Sequence, residues 1–291
     1  MKDFFTSTYN FGMFDQRPME EKLAAIQKIG FTGAEVLAPF NAELAALLDK
    51  YGLKVLDSNI SLDEDMNCVI NENIELMQKH GIKYVGCNPI SYFDDRETML
   101  KAAEILNRNG KKLSEYGIKA SFHNHTGEFR FNEQEGEYLW ETFAKNTDPN
   151  YVCFKLDVGW AHIAGVDVEY LIQKYSGRVE LTHIKPCTGI LGKEAAVMGR
   201  MMAGRPRRPA GSPPPAPPST PPELPPEIKK FMELVATAQG PMKDNLQDLK
   251  LIMELAEKHG CKVFTLERDG FYLDDRIKVM EEDLAFIRTF W

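Results

Sequence analysis

The 291-residue chain contains no apolar run approaching the roughly 20 residues needed to span a bilayer, and its start, MKDFFTSTYN, lacks the long apolar core of a secretory leader. A soluble, cytoplasmic protein is therefore the expectation. Five cysteines, at 68, 87, 153, 187 and 261, form no C-x-x-C pair and are odd in number. They read as reduced thiols. Clustered basic residues are also scarce: the formal charge is −8, and the only basic knot, Arg205, Arg207 and Arg208, lies inside a proline-rich stretch. A nucleic-acid surface is not expected, because phosphate binding needs grouped Lys and Arg. A Gly-rich phosphate cradle is missing too, since the first apolar run leads into Phe11-Gly12-Met13-Phe14.

What is there points to one large domain. With 43% hydrophobic residues the chain can bury a sizeable core. A short signature recurs, in which a helical pattern ends in a residue and Gly and then enters an apolar run: Ile29-Gly30-Phe31, Tyr51-Gly52-Leu53, His80-Gly81-Ile82, Tyr116-Gly117-Ile118 and His259-Gly260-Cys261, with Ser176-Gly177-Arg178 as a variant. Glycine just past a helix end adopts the left-handed cap cheaply, so each signature predicts a helix-to-strand turn. Eight strands follow, at about 4–10, 32–38, 54–60, 82–88, 118–125, 152–158, 179–185 and 261–268. Helical patterns lie between them at 18–29, 41–50, 64–80, 94–116, 136–146, 167–175 and 244–259, and a last one at 275–289. Strict alternation of this kind predicts an α/β fold, a closed (β/α)8 TIM barrel spanning 1–291 as a single domain; a doubly wound open sheet is the alternative.

One region interrupts the pattern. Residues 187–243 form an insertion after strand 7, and its stretch 204–227 holds 11 of the 17 prolines. Such a tract neither pairs as a strand nor continues a helix. A disordered insertion, a docking arm for a partner subunit and a lid over the site are three open readings. A helical piece is expected at 227–239.

Chemistry concentrates between Ile118 and Pro186. Alternation along a strand puts Ser121, His123 and His125 on one face, and Cys153, Lys155 and Asp157 on one face of the next strand. The following run, VELTHIKP at 179–186, is less regular, with Glu180 and Thr182 on the face that His183 does not share. Convergence of His123, His125, Asp157 and His183 would make the usual first shell of a divalent metal. In a barrel the reactive groups sit at the carboxyl ends of the strands, which read Asn10, Glu35, Asn59, Asn88, His125, Asp157, His183 and Glu267.

Four blocks, HNHTGEF (123–129), LDVGWAHIAG (156–165), HIKP (183–186) and LERD (266–269), resemble the xylose-isomerase-like TIM barrels. That group comprises sugar phosphate isomerases and epimerases, and its superfamily includes endonuclease IV and keto-sugar dehydratases. The resemblance covers nearly the whole chain outside about 190–243. It implies one divalent ion (Mn, Co, Mg or Zn) held by His123, Asp157, His183 and Glu267, with His123 standing where relatives commonly carry a Glu. It also implies a small-molecule keto-sugar substrate, whose carbonyl and neighbouring hydroxyl grip the ion so that the adjacent C–H can lose its proton. With one carboxylate of the epimerases' proton-shuttling pair replaced, one-base isomerisation or elimination is expected, with His125 as base or acid and Glu267 and Lys185 as further catalytic candidates. Glu128 is a loop carboxylate that can substitute for the missing one. Glu35, Asn59, Asn88, Trp160 and His162 are candidate substrate contacts, each with a structural alternative: Glu35 as an acid across the barrel from the metal, Trp160 as packing, His162 as a helix cap. Lys185 either meets a substrate oxygen or reaches solvent. PMKDN at 241–245 and the closing run FYLDDRIKVMEEDLAFIR are similar to C-glycoside deglycosidase catalytic subunits, so a lyase is the rival to an isomerase, and a homo-oligomer or a small β-sheet partner subunit is the assembly to expect. An endonuclease IV-like nuclease and an inert subunit remain as lesser readings.

Overall fold

The computed structural model describes residues 2–12, 15–63, 65–87, 95–192, 195, 226–269 and 275–291. Eight parallel strands close into a barrel: β1 (Phe5–Ser7), β2 (Gly33–Pro39), β3 (Asp57–Asn59), β4 (Tyr84–Gly86), β5 (Lys119–His123), β6 (Val152–Asp157), β7 (Val179–Ile184) and β8 (Val263–Leu266). β1 pairs with both β2 and β8, which completes the ring. All eight strands read from the sequence are present, but the first, expected over 4–10, ends at Ser7, whose hydroxyl accepts the Tyr9 amide and starts a short 3-10 helix over Thr8–Phe11.

Around the barrel run α1 (Met19–Ile29), α2 (Ala42–Tyr51), α3 (Asn73–Lys79), α4 (Arg96–Ser114), α5 (Leu139–Lys145), α6 (Val158–Ile163), α7 (Val168–Lys174), α8 (Pro226–Ala238), α9 (Leu249–Lys258) and α10 (Arg276–Ile287). Local chemistry sets their limits. Asn41, Asp95, Asp167, Asp248 and Asp275 each accept the backbone N–H three residues on, satisfying an amide that has no partner inside the helix. Gly30 (φ 101°) and Gly52 (φ 62°) close α1 and α2 in the left-handed region before the chain turns into the next strand. Between strands and helices lies a continuous apolar shell that includes Leu23, Ile26, Val36, Leu106, Phe122, Trp140, Phe154 and Leu266. Each such side chain contributes about 1.5–3 kcal/mol through burial.

Three further local expectations are corrected. The helix expected over 64–80 is only Asn73–Lys79, because the Asp63 carboxylate accepts the Asp65 and Asn67 amides in a tight turn rather than capping a helix. Met66 there sits at φ 63°, and Asn109 of α4 binds the Cys68 amide and the Met66 carbonyl across the gap. The helix expected from 136 begins at Leu139, after a small antiparallel hairpin of Phe131–Asn132 with Glu137–Tyr138. In β7 the register slips, Phe154 facing Val179 and Lys155 facing Leu181, so Glu180 is an extra residue and Thr182 and Glu180 need not share a face.

The barrel interior is layered. Phe5, Tyr84, Cys153, Leu181 and Val263 form an apolar plug towards the amino ends of the strands. Above it the interior turns polar, beginning with Glu35, Asp57 and Lys155. Asn88 and most of the proline-rich stretch 204–227 lie outside the described residues. α8 falls where the sequence predicts a helical piece, and its Val235 and Ala238 pack with Trp160, Ile163 and Cys187. The Thr188 amide donates to the Ala238 carbonyl at 2.7 Å, which holds the two ends of the insertion together.

Candidate metal centre

Four side chains meet at the carboxyl ends of the last four strands. Ligating atoms of His123, Asp157, His183 and Glu267 all lie within 4.8 Å of one another. Parity and strand order put them there, since Asp157 and His183 are register partners and the two outer residues stand on the flanking strands β5 and just past β8. His123 Nε2 is 3.3 Å from Asp157 Oδ2, and His183 Nδ1 is 3.7 Å from Asp157 Oδ2 and 3.3 Å from Glu267 Oε1.

The LDVGWA block explains how Asp157 is aimed. Its Oδ1 accepts the Trp160 amide at 2.8 Å and caps α6, which leaves Oδ2 for the cluster. Gly159 permits this fold-back, because a Cβ there would lie 2.6 Å from the Lys185 carbonyl. Asn124 braces the same strand end, its side chain both accepting the Asp157 amide at 3.0 Å and donating to the Asp157 carbonyl at 3.2 Å.

The donor set fits a divalent cation. His183 Nε2 lies 2.7 Å from Glu35 Oε2, while Nδ1 is buried without a hydrogen-bond partner and faces two carboxylates. A histidine whose far nitrogen is held by a carboxylate presents its near lone pair to an ion. Burial pushes His123 down to about 3, so its ring stays neutral and its lone pair is available. Burial would lower His183 as well, but Glu267 and Glu35 outweigh it and hold the ring well above its ordinary value. Burial likewise opposes ionisation of Asp157 and Glu267, yet Lys185 beside the first and His183 beside the second keep both carboxyls well below their usual range.

Two lysines lie in this polar interior. Lys155 is bonded to Glu35 Oε1 at 2.6 Å and pairs with Asp57. Burial pushes Asp57 up to about 6 despite that pairing, whereas Glu35 is held at about 2, the pull of Lys155 and His183 overcoming its burial. Of the two readings of Glu35, a substrate contact or a structural acid across the barrel from the metal, its placement matches the second: it reaches from β2 over to β7 and supports His183, one of the cluster's own members. Lys185 reaches neither solvent nor the rim: it is wholly buried, 3.1 Å from Asp157 Oδ2, 3.2 Å from Glu267 Oε1 and 3.1 Å from Asp269 Oδ2. Its ammonium also sits 4.7 Å from the centre of the Trp160 ring.

Other candidates are placed differently. β5 ends at His123, so His125 stands beyond the strand, exposed at the mouth, its ring 4.8 Å from that of His123 and 5.9 Å from that of Trp160. Glu128 turns both carboxylate oxygens to the His125 amide at 3.1 Å and is not among the four clustered groups. Trp160 is 6% exposed, with its indole packed in the apolar cluster beside α8. His162 lies in the last turn of α6, near the Val166 backbone and Asp167, and it is Asp167, not His162, that caps α7. Asn59 is half-buried at the mouth, its amide oxygen 2.7 Å from where a Cβ on Gly86 would lie. Asn10, read from the sequence as a reactive strand end, ties β1 to β8 through the Leu266 carbonyl and the Arg268 amide. Asp269 was not singled out, although its place two residues after Glu267 on an alternating strand end was a usable signal.

With this geometry in view, the likenesses to known proteins take on meaning. No family model matches the chain. Among curated proteins, inosose dehydratase from Bacillus velezensis is 29% identical over 192 residues, 57% of this chain and 62% of that protein. The alignment thus spans less than two thirds of the relative's length. A sugar phosphate isomerase/epimerase from Parabacteroides distasonis superposes with a TM-score of 0.66 at 19% identity, over 99% of this chain and 93% of that one. The 3-keto-D-glucoside 4-epimerase from E. coli does so with a TM-score of 0.59 at 13% identity, over 99% and 100%. The fold is that of the xylose-isomerase-like barrels. At these identities the structural likeness speaks for the fold, and the site's own chemistry must carry the function. Among the described residues no helix is long and apolar enough to cross a membrane.

Proposed function

We propose that the chain is a divalent-cation-dependent enzyme that removes the proton next to the carbonyl of a polyhydroxylated ketone and then expels water from the adjoining carbon. One observation carries the reading: the buried His183 Nδ1, bare of hydrogen bonds, set between the Asp157 and Glu267 carboxylates and held in place through Nε2 by Glu35. His123, Asp157, His183 and Glu267 would hold the ion. Once bound, it supplies Lewis-acid polarisation of the substrate's carbonyl oxygen.

The chain's own groups divide the remaining work. His125, exposed at the mouth beside His123, is placed to carry a proton between substrate and solvent. Lys185 is the opposite kind of group. Burial would lower it, but Asp157, Asp269 and Glu267 outweigh that and keep the ammonium protonated, so it acts as a fixed hydrogen-bond donor and neither as a base nor as the acid; the proton that leaves with the hydroxyl is the one the histidine carries. The plug below and the indole of Trp160 beside the site limit the water that reaches it. Elimination is favoured over two-base epimerisation because His123 stands where the epimerases' second carboxylate is expected and Glu128 is turned to a backbone amide. The likeness to an inosose dehydratase supports the same choice and names keto-cyclitols as the first substrates to try.

Incubation of the cation-loaded protein with inosose and with 3-keto-glucosides in deuterated water tests this. The expected product is lighter by one water and absorbs in the ultraviolet as a conjugated ketone. Deuterium entering a product of unchanged composition would replace elimination by isomerisation, and no reaction with or without added Mn, Co, Mg or Zn would overturn both.

A further inference from the structure

The three carboxylates around Lys185 are not equivalent. Two of them, Asp157 and Glu267, are the groups proposed to hold the cation, and the ammonium lies 3.1 and 3.2 Å from them. The third, Asp269, at 3.1 Å, is not a member of the four-residue cluster. It is itself fixed: Gln239, just beyond α8, donates from Nε2 to Asp269 Oδ2 at 2.8 Å. Gln239 is in turn pinned through its backbone, because Arg268 donates from Nη1 to the carbonyls of Gln239 and Gly240 at 3.0 and 2.8 Å. Arg268 is locked by a two-pronged pair with Asp283 at 2.7 and 2.8 Å, with both side chains buried.

A lysine ammonium and a divalent cation cannot both take full advantage of the same two carboxylates. An ammonium and a doubly charged ion that share the same buried carboxylates repel one another, and more strongly there than they would in water. Whatever holds the ammonium away from Asp157 and Glu267 therefore strengthens cation binding. We propose that Asp269 is a positioning residue: oriented by Gln239, it anchors Lys185 independently of the ligand carboxylates and so sets the affinity of the site for its cation. The segment that returns from the insertion thereby tunes the metal centre without contributing a ligand.

This rests on the metal reading above, and titration of the apoprotein with Mn2+ and Zn2+, followed by calorimetry or a competing chelator, separates the two. Wild-type protein that binds neither ion sinks both the metal reading and this inference; wild-type protein that binds allows the inference to be judged alone. Lys185→Met is expected to bind the ion at least about fivefold more tightly, and Asp269→Asn at least about fivefold more weakly, within the range seen for coupled neighbours. Gln239→Leu changes no charge and is expected to weaken binding about two- to fivefold, and it remains informative if a charge variant fails to fold. The deciding comparison is the double variant Lys185→Met with Asp269→Asn, in which Asp269→Asn should change affinity less than about twofold because the group it acts through is gone. An Asp269→Asn effect of equal size with and without Lys185 overturns the inference, leaving a direct charge effect on the ion. So does unchanged affinity in both Asp269→Asn and Gln239→Leu.

Discussion

Replacing Lys155 by Met removes a buried cation with little change in volume, and the structure sets the size of the effect. The ammonium is bonded to Glu35 at 2.6 Å and paired with Asp57, and all three side chains are about 95% buried. Glu35 is held at about 2 against an ordinary 4.5, mainly by Lys155 and His183 working against burial. At about 1.4 kcal/mol per pH unit the whole of that hold is worth about 3 kcal/mol, shared between Lys155 and His183. The figure falls at the lower end of the roughly 3–5 kcal/mol lost when one partner of a buried ion pair is removed. Its pH dependence has a definite sign. A depressed carboxylate stabilises the fold above its unfolded value and loses that contribution as pH falls from about 4.5 through about 2. Without Lys155, burial raises Asp57 further and Glu35 keeps only the pull of His183, and a raised carboxyl stabilises only at low pH and loses that contribution as pH climbs through its folded value. The gap between wild type and variant should therefore be widest near pH 8 and narrow towards pH 4–5. Equilibrium urea unfolding followed by circular dichroism at both ends reads it directly. A gap below about 1 kcal/mol at pH 8, or one equal at the two pH values, would refute the view that Lys155 neutralises this interior.

Asp157→Asn keeps the oxygen that caps α6 but points an amide at Lys185 and His123, so bound cation and turnover should both be lost while the far-ultraviolet spectrum is unchanged. A metal-replete, active variant would contradict the assignment. Because Glu267 and Glu35 outweigh burial and hold His183 above its ordinary value, a cation must displace a proton there. Affinity should rise with pH until His183 deprotonates in the metal-free protein, and calorimetry at pH 7 in two buffers of different ionisation enthalpy should give different heats; equal heats count against it. Arg268→Met leaves Asp283 and the Gln239 and Gly240 carbonyls buried without their donor and should destabilise by about 3–5 kcal/mol, read as a shift in the urea midpoint. A midpoint unchanged within error would show that the pair contributes nothing.

Departures from the sequence reading have local causes that no periodicity reveals. Met66, Val69 and Ile70 sit at helical spacing, yet Asp63 closes a turn on its own backbone and Asn109, distant in sequence, binds what that turn leaves over. The hairpin before α5 is two residues per strand, too short for alternation to register. Glu180 looked misplaced because one extra residue in β7 shifts the parity of everything before it relative to β6.

Alternating side chains along each strand, glycines at helix ends and capping Asp and Asn are one-dimensional signals. They were enough to determine eight strands in order and the barrel, and to bring His123, Asp157 and His183 towards one mouth, since closure of a parallel barrel brings the carboxyl ends of successive strands together whatever the loops do; that Glu267 and not His125 completes the four is what the resemblance of the LERD block implies. Only the tertiary structure decided which charges meet inside. Glu35 reaches His183 across 148 positions, Lys155 reaches Glu35 across 120, and Lys185 settles among three carboxylates from two strand ends. Such pairings depend on register, side-chain reach and the absence of water, quantities that exist only once the ring has closed.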